Sequence, residues 1–155
     1  MISFENALSK LLFLANKIDV EEVNLEEAHS RVLASEAISS RDQPPFDASS
    51  MDGFALKKID KLPNKKLLVV GKVAAGKSFK GTIKKGEAVR IFTGAPVPSG
   101  ANSILIQEDA IELNNFITVR EKIEKNDFIR KKGCDYKASK VLLKKGKILR
   151  SFDIA

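Results

Sequence analysis

Short apolar runs separated by turn residues follow residue 66, and they constrain the fold more than any other feature of the sequence. Gly, Pro, Asn and Lys-Lys-Gly turns stand between the runs, and no helix-length segment intervenes. This spacing is typical of antiparallel strands joined by turns, and the missing helices exclude a parallel α/β sheet. The sequence therefore predicts antiparallel, barrel-like β structure, with strand candidates at 67–70, 88–92, 103–106, 116–119, 127–130, 141–143 and 148–150.

Two helices are predicted ahead of these strands. Ser3 can cap a first helix whose apolar residues recur at helical spacing from Phe4 to Ile18. This helix is apolar on more than one side, which is typical of a helix that packs on a partner chain or on another part of the protein. Asn24 and Glu27 form a capping-box pair for a second helix, over about 25–37.

The expected fold class is thus α+β and mostly β, with two N-terminal helices and a small antiparallel, barrel-like β domain. We expect a helical and extended base domain made of residues 1–40 with 137–155, and a β domain over 41–136.

Composition narrows the classes of function. One Cys (Cys134) and one His (His29) cannot form an internal disulfide or a zinc site of the usual spacing. No apolar run approaches the roughly 20 residues of a membrane span, and the start lacks a signal peptide, so we expect a cytoplasmic protein without a membrane partner. The net charge of +7 would attract anions, but the basic pairs lie at turns and the aromatic residues in strands. We therefore expect no nucleic-acid partner.

One stretch, Gly71 to Ser78, matches the spacing of a phosphate-binding P-loop. A P-loop needs a helix that starts at its Lys and points its N-terminal amides at the phosphates. Two further glycines and a turn follow this match instead. A strand connection is the favoured interpretation, and nucleotide binding at Gly71–Ser78 is kept as an alternative.

The loop 44–55 is rich in residues that order a chain without regular structure. Two prolines fix the backbone angle φ, and two Asp and two Ser supply side-chain hydrogen-bond acceptors. Gly53 adds conformational freedom of the backbone. Three more polar corners follow, at 90–100 with Thr93 at a strand end, at 107–109, and at 130–135, where cations stand beside a carboxylate. Each corner alone is compatible with an ordinary turn.

Taken in order, these corners resemble the N-terminal region of the MoeA family, the molybdopterin molybdotransferases, which are related to the gephyrin E domain. The resemblance rests on the segments 45–55, 90–98, 107–108 and 129–135 and covers nearly all of the chain. It implies an enzyme of molybdenum-cofactor biosynthesis that removes AMP from adenylylated molybdopterin with Mg²⁺ and inserts molybdate. It also implies a homodimer with an active site between subunits, and it permits molybdopterin adenylyltransferase and molybdoenzymes as partners.

The resemblance also assigns residues. Asp52 and Thr93 match positions that face the cleft and are the expected catalytic residues. No metal ligand is assigned, and the expected substrate-binding residues are Asp47, Ser50, Gly94, Arg130 and Asp135. Phe54 stands where the family usually has Tyr, and Cys134 where an acidic residue is common. We expect Asp52 and Thr93 to converge on one solvent-open wall.

The chain ends about where the family begins its pterin-binding domain, so we expect a fragment that does not catalyse the reaction alone. A scaffold or partner-docking β module stays open as a non-catalytic alternative.

Overall fold

The computed structural model describes residues 2–15 and 18–155. It divides into two compact units, Met1–Ala37 with Val141–Ala155, and Ile38–Lys140. The helices are α1 (Phe4–Leu14) and α2 (Ser151–Ile154), and the strands are β1 (Ala37–Ile38), β2 (Ala48–Ser49), β3 (Gly53–Leu56), β4 (Lys66–Val73), β5 (Glu87–Ile91), β6 (Ser103–Ile106), β7 (Ala110–Leu113), β8 (Phe116–Val119), β9 (Ile129–Arg130) and β10 (Val141–Leu143). In the described ranges, no helix is long and apolar enough to cross a membrane.

The first predicted helix is confirmed as α1. The Ser3 hydroxyl accepts a hydrogen bond from the Asn6 amide at 3.3 Å, as expected of a helix cap. None of the residues of α1 is buried, and Phe13 is 89% exposed. The helix therefore leaves its apolar side chains without a covering layer from the described residues.

The prediction of a second helix over 25–37 is wrong. Only a 3₁₀ turn forms at Leu25–Glu27, and the Asn24 side chain makes no capping hydrogen bond. Ser30 then takes a left-handed backbone conformation, with φ of 64°, which stops a helix. The amides of Ser30 and Leu33 donate at 2.8 Å to the carbonyls of Leu149 and Lys147. Pairing with this later segment thus replaces the hydrogen bonds of a helix.

The second unit is built on a six-stranded sheet with the order β6-β3-β5-β4-β8-β7, which curls into a half-barrel. All neighbours are antiparallel except β4 and β5, which run parallel with an irregularity between Val69 and Gly71. The expectation of a mostly β fold is confirmed, whereas the all-antiparallel sheet is wrong at this pair. The connection 74–86 explains the difference, since it is long enough to return the chain to the start of β4 without a helix.

The strand β3 lies between β6 and β5 in this sheet, and all four of its residues are buried. Phe54 and Leu56 pack in one apolar cluster with Leu105 and Ile117. Ala55 packs in a second cluster with residues such as Ile91 and Ile104. Because alternate side chains point to opposite faces, β3 joins the two halves of the core.

The P-loop alternative is not supported by the geometry of Gly71 to Ser78. Gly71 lies within β4, and a turn follows in which the Lys77 amide donates to the Ala74 carbonyl at 3.1 Å. No helix follows in 77–86, all of which the structure describes. A Cβ on Gly71 would lie 2.7 Å from the Phe79 ring. This glycine therefore makes room for an aromatic side chain rather than for a phosphate.

Candidate functional site

Backbone hydrogen bonds bring three loop segments of the second unit together. The strand β2 pairs with β9 through Ala48 with Arg130 and Ser49 with Ile129. The Ser49 carbonyl accepts from the Gly94 amide at 2.8 Å, and the Ser49 amide donates to the Ala95 carbonyl at 3.0 Å. All of the residues predicted to form the site lie on these segments, 47–52, 93–94 and 130–135.

Asp52 and Thr93 are in direct contact, although they stand 41 positions apart. The Asp52 Oδ1 atom accepts hydrogen bonds from both the amide and the hydroxyl of Thr93, each at 2.8 Å. Asp52 is half-buried and Thr93 is exposed. The hydrogen bonds from the amide and the hydroxyl, and then the charge of Arg90, hold the pKa of Asp52 below its usual range. The pair is thus an anionic acceptor on an open surface.

Two glycines explain why the chain can build this pair. A Cβ on Gly53 would lie 2.0 Å from the Leu105 carbonyl oxygen, so only glycine permits β3 to approach β6 this closely. The same approach lets the Gln107 amide donate to the Asp52 carbonyl at 3.1 Å. Gly94 has a φ of 81°, and this left-handed conformation turns the chain directly after Thr93.

Arg130 and Asp135 form an ion pair on the third of these segments, 130–135. The Arg130 Nη2 atom lies 2.6 Å from each Asp135 carboxylate oxygen. This pairing lowers the pKa of Asp135 and raises the pKa of Arg130. Both side chains are about half exposed, at 51% and 41%. They are therefore accessible to a ligand, and both are charged at neutral pH.

The remaining predicted binding residues form hydrogen bonds with other residues of the chain. The Asp47 oxygens accept from the Lys131 ammonium and the Lys132 amide, each at 2.8 Å. The Lys131 hydrogen bond is the main cause that lowers the pKa of Asp47. The Ser50 amide donates to the Phe128 carbonyl at 2.9 Å, and the Gly94 amide is taken by Ser49. These groups hold the three segments together.

Sequence reasoning left two residues out of the site. Arg90 and Gln107 lie beside Asp52, and the Arg90 Nη2 atom donates to the Gln107 side-chain oxygen at 2.7 Å. Both stood in the polar corners noted from sequence. The register of β3 with β5 would have identified them. The alternation of side chains along each strand does not reveal this register.

Metal binding by protein groups alone is not favoured here. Across the described ranges, no group of three or more His, Cys, Asp or Glu side chains could hold a metal ion. Asp52 uses only Oδ1 in its hydrogen bonds, and within those ranges no donor reaches Oδ2. Mg²⁺ commonly binds one or two carboxylates together with substrate phosphates. Asp52 fits one such ligand, with the others coming from outside this chain's described residues.

Comparison with known proteins adds a family and relatives to this geometry. Residues 2–155 match the family model described as the MoeA N-terminal region (domain I and II). The chain is 32% identical over 159 residues to the molybdopterin molybdenumtransferase of Staphylococcus aureus strain Mu50, with 99% of this chain and 38% of the relative covered. It is 36% identical over 148 residues to that of Haemophilus influenzae, with 94% and 37% covered.

A solved structure gives the same result for the fold. The crystal structure of the molybdopterin biosynthesis moeA protein from Pyrococcus horikoshii OT3 aligns with a TM-score of 0.88 at 34% identity, covering 99% of this chain and 42% of the other. The chain therefore spans about two fifths of the length of the relatives it matches.

Proposed function

The chain belongs to the MoeA family, whose N-terminal region it carries, and from this premise we propose that it contributes one wall of a site for molybdate insertion into adenylylated molybdopterin. The single observation that carries the proposal is the hydrogen-bonded Asp52–Thr93 pair on an open surface. The other walls belong to the part of the relatives' length that this chain does not span, from the same or a partner subunit. The relatives themselves are named for a molybdenumtransferase activity.

In the proposed site, Asp52 acts as an ionised acceptor. Thr93 directs its hydroxyl proton to Asp52 Oδ1, so the lone pairs of the hydroxyl remain to accept a hydrogen bond from a bound ligand. Asp52 Oδ2 is then the oxygen that orients a water molecule or takes one coordination position of Mg²⁺. When bound, Mg²⁺ supplies charge neutralisation at the phosphates of the substrate.

The positive charge of Arg130, on the segment 130–135, suits an anionic substrate. The Arg130 guanidinium is exposed enough to donate to a phosphate or to molybdate. Asp135 holds it in place from one side. The net charge of +7 would raise the rate of encounter with such a substrate.

The test is made in a protein that carries this region together with the rest of the family's length. Asp52→Asn and Thr93→Val should each lower molybdenum-cofactor formation from adenylylated molybdopterin and molybdate by tenfold or more, about 1.4 kcal/mol of transition-state stabilisation. The matched control Lys77→Ala lies on the exposed turn of the P-loop alternative and should leave the rate unchanged. Equal loss in all three variants would contradict the proposal, and so would full activity in the Asp52 and Thr93 variants.

We also propose a homodimer. The large apolar residues of α1 are exposed, with Phe4 76%, Leu11 67% and Phe13 89% exposed, and exposed patches of this kind mark interaction sites. Replacing Leu11 and Phe13 together with Ser should convert a dimer of the longer protein to a monomer in light scattering. An unchanged dimer mass would show that α1 does not form the dimer interface.

A further inference from the structure

Arg90 lies on the same face of the sheet as the Asp52–Thr93 pair. The register of β3 with β5 places Phe54 opposite Arg90. Side chains two positions apart on a strand share a face, so Asp52, which precedes Phe54 by two, and Phe92, which follows Arg90 by two, extend that face toward the loops. The bonds from Thr93 to Asp52 confirm that the two chain segments meet there.

Three contacts fix the Arg90 guanidinium. Its central carbon lies 4.9 Å from the centre of the Phe54 ring and 5.1 Å from that of Phe92. Its Nη2 atom donates to the Gln107 side chain at 2.7 Å. Since the Gln107 amide donates to the Asp52 carbonyl, a closed circuit of contacts joins Asp52, Gln107, Arg90 and the segment Phe92–Thr93.

The charges around Asp52 come from two elements. On β5, Arg90 contributes a positive charge that adds to the effect of the Thr93 hydrogen bonds and lowers the pKa of Asp52. After β6, Glu108 accepts from the Gln107 side chain at 3.2 Å, but it is not among the groups that shift the pKa of Asp52. A second cation, Lys72, lies 5.1 Å from the Phe92 ring centre, but it is not among the groups that shift Asp52.

We propose that Arg90 is a positioning residue for the Asp52–Thr93 pair. Through Phe92 it holds the segment that carries Thr93, and through Gln107 it holds the backbone of Asp52. Its charge adds to the effect of the Thr93 hydrogen bonds in lowering the pKa of Asp52. Only the effect on turnover rests on the proposed function, because the positioning itself is a property of this chain.

The test uses NMR on the 155-residue chain. The Asp52 carboxyl carbon is titrated with pH, and hydrogen exchange of the Thr93 amide is measured, in Arg90→Met, Arg90→Lys and the control Lys72→Met. In Arg90→Met the pKa of Asp52 should rise and Thr93 exchange should accelerate about tenfold, as expected for the loss of about one net hydrogen bond. Arg90→Lys should retain more of the pKa effect than of the protection, because it keeps the charge but loses the planar fork. Lys72→Met should change neither quantity.

An unchanged pKa and exchange rate in Arg90→Met would overturn the proposal, as would equal changes in Lys72→Met. If Arg90→Met does not fold, Gln107→Leu releases Arg90 without removing it and should also accelerate exchange of the Thr93 amide. An unchanged exchange rate overturns the proposal in the same way.

In the longer protein, Arg90→Met should lower kcat and move the acidic limb of its pH profile to higher pH. A lower kcat with an unmoved limb contradicts the role, whereas inactivity of the unmodified protein contradicts only the proposed function.

Discussion

Replacing Gly53 with Ala should destabilise the second unit through steric contacts with the backbone of β6. The new Cβ would lie 2.0 Å from the Leu105 carbonyl oxygen and 2.9 Å from the Ile106 Cα. Both obstacles are backbone atoms of β6, which cannot rotate away as a side chain can. The strands β3 and β6 must therefore separate by about 1 Å before the contact reaches an ordinary range.

The cost has two parts. Overpacking in a dense core costs about 1–3 kcal/mol, and weakening of the adjacent β3–β6 hydrogen bonds adds about 1 kcal/mol. We expect a total of about 3 kcal/mol, or a fall in Tm of about 6–12 °C for a chain of this size.

The assay is urea unfolding followed by tyrosine fluorescence. The chain has one Tyr and no Trp, and Tyr136 lies in the second unit, so the signal reports on that unit. The control is Gly76→Ala, where a Cβ meets nothing within 4 Å but the backbone has a φ of +77°. This control should cost only about 1–2 kcal/mol, the penalty of a left-handed conformation.

The steric explanation would be contradicted if Gly53→Ala lowered the free energy of unfolding by less than about 1 kcal/mol. It would also be contradicted if the decrease were no larger than that of Gly76→Ala. Either result would mean that β3 and β6 can move apart without cost. The close approach of Asp52 to Gln107 would then not depend on glycine.

Three other predictions concern charge and backbone conformation. The pKa of Asp47 is lowered in the folded state, chiefly by the hydrogen bond from Lys131. The ionised Asp47 therefore stabilises the fold above pH 3.8, and this stabilisation is lost as the pH falls through the pKa of Asp47 in the folded state. In Asp47→Asn, Tm should fall less steeply over this acid range. Burial lowers the pKa of Lys61. The free energy of unfolding of the wild type should therefore rise relative to that of Lys61→Met as the pH increases toward 10.5. Urea unfolding measures this difference in stability, and a difference that does not change with pH would contradict the prediction. Ser30 has a positive φ, so Ser30→Gly should relieve strain and stabilise the fold by up to about 1 kcal/mol. Urea unfolding measures this change, and a loss of stability would contradict the prediction.

The positions of most strands could be predicted because the residues that mark them lie close together in the sequence. The runs predicted at 88–92, 103–106 and 116–119 correspond within a residue to β5, β6 and β8, since apolar runs bounded by turn residues report burial and chain reversal at the same time. The buried β3 was not among the predicted strands, because a short apolar stretch without alternation has no clear period.

The errors arose where distant segments decide the structure. The second helix had a plausible cap, but the segment pairs with residues near 147–149 instead, a competition that no local pattern reveals. The parallel pairing of β4 with β5 likewise depends on where the connection 74–86 returns. Arg90 was missed for the same reason, since only the register of β3 with β5 brings it beside Asp52.

The electrostatics of the candidate site can be understood from its pairs. Each of its three carboxylates lies with a cation: Asp47 with Lys131, Asp52 near Arg90, and Asp135 with Arg130. The pKa of each carboxyl is lowered, so all three stay ionised at neutral pH. Because the cations offset these charges, the surface holds fixed acceptors without becoming repulsive to an anion. The charge of Arg90 therefore reduces the repulsion between Asp52 and a phosphate-bearing substrate, and the role proposed for Asp52 depends in part on the position of Arg90.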